Sequence, residues 1–124
     1  MNLPRLRHSL AVILIALLAP LASAGDDSVH TMAGILIKLN HFPSAEEKTT
    51  LQAIIASPDS SAATKTIAQA IHDMQHSVSA ADKAKLEAIA SDPAASDGEK
   101  TLAGILAGIS HQPGADAKAT LETL

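Results

Sequence analysis

The 124-residue chain has no cysteine, a single aromatic side chain (Phe42) and a formal net charge of −4. The lack of cysteine excludes disulfides, thiol catalysis and thiolate metal ligands. An acidic balance with one aromatic ring also lacks the basic footprint and stacking surfaces of a nucleic-acid binder.

In chain order, residues 1–24 read as a secretory leader. Arg5 and Arg7 form a positive start, Leu10 to Ala19 is an unbroken apolar run, and Pro20 breaks it. Ala22-Ser23-Ala24 then supplies small residues for cleavage, and the mature chain is expected to run from Gly25 to Leu124. The apolar run falls short of the roughly 20 residues needed to span a bilayer. No cysteine is present to carry a lipid anchor. Loss of both arginines leaves seven lysines against thirteen acidic residues, 7 − 13 = −6. Such a chain is repelled by anionic lipid, so no stable membrane insertion is expected after cleavage. The expected location is periplasmic or extracellular.

The mature chain repeats. HTMAGILIKLNHFPSAEEKTTLQAI begins at His30, KTIAQAIHDMQHSVSAADKAKLEAI at Lys65 and KTLAGILAGISHQPGADAKATLETL at Lys100, aligned without gaps at a spacing of 35. Identities recur at Thr31/Thr66/Thr101, Ala33/Ala68/Ala103, His41/His76/His111, Ala45/Ala80/Ala115, Lys48/Lys83/Lys118 and Leu51/Leu86/Leu121. Within one domain the units span about 30–64, 65–99 and 100–124. Each first helix carries an i, i+3, i+4, i+7 apolar stripe: Met32/Ile35/Leu36/Leu39, Ile67/Ala70/Ile71/Met74 and Leu102/Ile105/Leu106/Ile109. The recurrent alanines mark expected points of close helix approach, and Gly104 and Gly108 suggest another.

Each second helix begins at a capping signal, Ser44-Ala-Glu-Glu47 and Ser79-Ala-Ala-Asp82, with Gly114 replacing serine in the third unit. Pro58 and Pro93 close the second helices, and Ser61 and Ser96 are caps for the first helices that follow. The expected fold is all-α: three 35-residue helix-turn-helix repeats, six short helices stacked as a small solenoid or compact bundle. Alanine-rich helices of this length are marginal alone, so stacking must hold them. The two-helix plan is like that of helical solenoid repeats in general. It lacks the tryptophan and tyrosine of the 34-residue tetratricopeptide pattern.

The candidate chemistry is histidine. His76 shares its position with His41 and His111, and on the extended stripe all three fall at the C-terminal end of a first helix. There an imidazole serves the unpaired carbonyls and the helix dipole without any ligand. His72 and His76 stand one helical turn apart, opposite the apolar stripe, and form a candidate zinc or copper chelate that Asp73 assists. His41, His111 or His30 are the further histidines that could help it. The recurrent trio is not expected to converge, because stacked helices lie about 8–10 Å apart.

No catalytic set is legible, and no catalysis is expected. Serines fall at caps, and the acidic pairs Asp26/Asp27 and Glu46/Glu47 fall at helix starts. The expected function is a protein-interaction module that contacts another exported protein through Phe42 and Ile37, which the repeat does not require. The alternative is a periplasmic metal-binding protein using the His72/His76 pair.

Overall fold

The computed structural model describes residues 24–124; the charged start, apolar run and Pro20 of the leader lie outside them. The described residues form six helices: α1 Ala24–Lys38, α2 Ala45–Ala56, α3 Ala62–Asp73, α4 Ala80–Ala90, α5 Asp97–Gly108 and α6 Ala115–Leu121. Among them there is no strand, only isolated bridges at Asn40/Phe42 and Ser110/Gln112. Among the described residues no helix is long and apolar enough to cross a membrane.

The stripes become the core. Met32, Leu36, Ile67, Ile71, Leu102 and Leu106 are fully buried, and Leu51, Leu86 and Leu121 join them from the second helices. Helices α1, α3 and α5 each touch the other two. Ala33, Ala68 and Ala103 are all buried, as small side chains are where helices approach closely. Of the second helices, α2 packs on α3, α4 packs on α5, and α6 returns to pack on α1. The last helix therefore meets the first.

Gly104 and Gly108 play no part in close packing. Both are exposed, and a Cβ built on either meets nothing within 4 Å.

The caps form as the side chains permit. Ser44 accepts from the Glu47 N–H at 3.2 Å, and the Glu47 carboxylate accepts from the Ser44 N–H at 2.8 Å. Ser96 and Glu99 repeat that box at the start of α5. At α4 Asp82 does not reach back to the main chain; its carboxylate accepts from the Ser79 hydroxyl at 2.9 Å instead. Gly114 offers no side-chain cap, and α6 is only seven residues long.

Glu99 is buried and ties α5 to α3. Its Oε1 accepts from the Thr64 hydroxyl at 2.7 Å and from the Ser61 hydroxyl, while Oε2 accepts from the Ser96 N–H at 2.8 Å. Burial pushes its carboxyl up, but the hydrogen bonds from Ser61, Ser96 and Thr64 outweigh that and hold it below the usual glutamate value.

The first helices end sooner than their stripes. Met74 and Ile109 are the C-caps of α3 and α5, and Leu39 lies just past α1, yet all three are buried. That early stop changes the position of every recurrent histidine.

Candidate metal centre

With α1, α3 and α5 ending at Lys38, Asp73 and Gly108, His41, His76 and His111 stand three residues beyond the helices. They are turn residues and not last-turn helix residues, so the service to helix carbonyls expected of them does not apply. The one-turn spacing of His72 and His76 fails for the same reason.

The turns are tight. His41 has φ 94° and His111 φ 70°, the left-handed region that non-glycine residues rarely occupy. Around His111 the turn closes over three residues, with the Gln112 N–H donating to the Ser110 carbonyl at 2.9 Å. Such γ-turns with positive φ are uncommon and strained. Buried Pro43 and Pro113 follow two residues after the histidines and fix the exits. Val78 takes that place after His76, whose backbone is not in the left-handed region.

Main-chain hydrogen bonds join the three turns. The His41 N–H donates to the His111 carbonyl at 3.1 Å, and the His111 N–H donates to the His76 carbonyl at 2.6 Å. The imidazoles therefore spring from adjacent backbone. Their ring centroids are 5.2 Å (His76–His111), 5.5 Å (His41–His111) and 5.6 Å (His41–His76) apart, each pair edge to face. One nitrogen from each ring lies within 4.8 Å of the other two, and all three side chains are exposed.

The expectation that the recurrent trio stays apart is thus corrected. It assumed side chains on helices separated by a helix diameter; these sit on turns whose main chains touch. Two signals pointed there. Histidine recurs at a fixed spacing, and proline two residues after His41 and His111 marks a turn.

The trio suits a transition-metal ion. Zinc–imidazole bonds of about 2.0–2.1 Å put tetrahedral ligand nitrogens roughly 3.3 Å apart. The nitrogens lie within 4.8 Å of one another, and rotation of the exposed rings would have to close the remaining gap. Three imidazole nitrogens would fill three tetrahedral positions of a zinc ion and leave a fourth open, unlike the closed four-ligand set of structural zinc sites.

The other candidate residues lie elsewhere. His72, partly buried, is engaged on both ring nitrogens: Nδ1 lies 2.8 Å from Asp73 Oδ1 and Nε2 lies 3.2 Å from Gln52 Nε2. The Asp73 carboxyl is held below its usual value, first by the hydrogen bond to His72 and then by that from Gln69. His30 is exposed on α1, where it lines a shallow groove with Thr31 and Gly34, and it is not one of the clustered trio. Ile37 is half-buried and packs against the core. Phe42, by contrast, is 59% exposed and immediately follows His41.

Comparison with known protein families, characterised proteins and solved structures finds no match to this chain.

Proposed function

We propose that this protein binds a transition-metal ion, zinc or copper, through His41, His76 and His111. The observation that carries the reading is the convergence of three imidazoles on turns hydrogen-bonded to one another. Imidazole sets suit zinc and copper, and copper leads the divalent affinity order for such ligands. Two of the histidines also occupy backbone positions that glycine would adopt at less cost. Strain of that kind tends to gather where a side chain has work that its backbone conformation does not favour.

The reading treats the helices as three equivalent two-helix units closed into a ring, with the histidines where the units meet. The packing of α6 on α1 and the recurrence at a spacing of 35 support it. It also takes the chain as exported to the periplasm or the medium, on the strength of residues 1–24. Intact mass of the exported chain, expected to begin at Gly25, tests that part.

Calorimetric titration of the metal-free protein tests the site. One ion per chain is expected with Zn²⁺ or Cu²⁺, and His76→Ala is expected to lose it. His72→Ala should bind as the parent does. Ligation needs unprotonated imidazoles, so binding should weaken in acid. No saturable binding by the parent, or loss of binding in His72→Ala with retention in His76→Ala, overturns the reading.

A second reading, contact with another exported protein, rests on Phe42, the exposed large apolar side chain among the described residues. Pull-down with parent and Phe42→Ser protein tests it. Equal recovery of partner by both removes Phe42 from such a surface.

A further inference from the structure

We infer that the metal ion takes an anionic ligand in its open position: a carboxylate carrying an apolar group. The inference rests on the three-histidine reading and concerns the surface beside it. A groove of about 270 Å³ runs along His76 and is lined by Phe42, Lys48, Met74 and Gln75. Three chemical features meet there: one of the metal ligands, an ammonium group and an exposed aromatic ring.

Charge selects the ligand's head. A divalent ion on three neutral imidazoles keeps its full charge, and Lys48 adds another positive charge to the same groove. Lys48 has no carboxylate within ion-pair distance among the described residues, though its charge reaches Asp73 and helps hold that carboxyl below its usual value. In a chain of net −4 this groove would be a local positive spot once the ion is bound. A carboxylate oxygen is an ordinary zinc or copper ligand, and its second oxygen is free to accept from an ammonium.

Shape selects the ligand's body. Phe42 supplies an apolar face and Met74 an apolar floor. The groove is somewhat smaller than the roughly 300–1,000 Å³ of drug-sized sites, which suits an acid with a single ring or a short apolar chain. The site is one-sided. Lysine recurs at Lys83 and Lys118, whereas the positions equivalent to Phe42 hold Ser77 and Gln112. An apolar acid thus has one preferred orientation on the trio, toward Phe42.

Cobalt makes the open position visible, because the d–d bands of Co²⁺ respond to a change of ligand while zinc is silent. Full-length protein loaded with Co²⁺ would be titrated with benzoate and, separately, with acetate. Benzoate is expected to alter the bands and to bind more tightly than acetate. Phe42→Ser should reduce that preference about fivefold, the value of one aromatic contact. Lys48→Met should weaken both acids several-fold. Cobalt bands that benzoate leaves unchanged overturn the inference while the metal site stands. A benzoate preference that survives Phe42→Ser overturns the groove assignment. Failure to bind cobalt, zinc or copper at all overturns the three-histidine reading and this inference with it.

Discussion

Replacing Glu99 with glutamine tests whether the buried carboxylate joins α3 to α5 as its contacts imply. Oε1 accepts from two hydroxyls, Ser61 and Thr64, and Oε2 accepts from the Ser96 N–H. A glutamine keeps one acceptor and replaces the other with an NH₂ group, so at least one of these donors faces another donor. The hydroxyls can turn, but the Ser96 N–H cannot. Leaving one buried donor unpaired costs about 1–3 kcal/mol, more where the lost acceptor was charged. The expected loss at neutral pH is therefore about 2 kcal/mol. The sign with pH follows from the depressed carboxyl. Below its unfolded value of about 4.3 the unfolded chain takes up the proton first, so the carboxylate's contribution is full above that pH. It is lost as pH falls through the lower folded value. Urea unfolding of both proteins followed by circular dichroism, at neutral pH and at steps into acid, reads both effects. The gap between parent and Glu99→Gln should be widest at neutral pH and should narrow in acid. Equal stability at neutral pH, or a gap that stays constant into acid, refutes the reasoning.

Ile71 of α3 is fully buried in the core, and Ile71→Ala should cost about 2–5 kcal/mol in the same urea assay. Gly104 lies inside α5 with open space where a Cβ would stand. Gly104→Ala should stabilise the protein by about 0.5–1 kcal/mol, and a loss would show a contact where none is seen. His111→Gly should leave metal-free stability unchanged or raise it by up to about 1 kcal/mol, since glycine relieves the φ of 70° but is freer when unfolded. The same variant should lack the stability gain expected of the parent with zinc, about 2.7 kcal/mol at a hundredfold excess over the dissociation constant.

Much of the fold was legible because its signals are local. The apolar stripes named the core residues Leu36, Ile71 and Leu106, and Ser44, Ser61, Ser79 and Ser96 each cap a helix as their spacing suggested. The missing hydroxyl at Gly114 was likewise readable as an uncapped α6. The helix ends were not. Leu39, Met74 and Ile109 continue the helical period, yet they are buried from positions past the last helical residue. Periodicity reports which side chains face the core, not whether the backbone behind them is still helical. Gly104 and Gly108 misled in the opposite way, since a small-residue spacing has no meaning on an exposed face.

The candidate site turns on closure, which no local signal carries. Identical side chains spaced by one repeat in an open stack stand apart by the distance between neighbouring elements, about 8–10 Å for helices. No single ion with bonds of about 2 Å reaches across that. Here α1, α3 and α5 each pack on the other two and α6 packs back on α1, and the main chains of the three turns come within hydrogen-bonding distance. A residue repeated for any reason at such a position is then gathered into a cluster. With aspartate there the cluster would be a repulsive acidic knot; with leucine it would be an apolar tip. Histidine gives three imidazole nitrogens in mutual reach and open to solvent. The proposed ligand set is thus written at a spacing of 35 in the sequence and brought together where α1, α3 and α5 pack on one another and α6 packs on α1.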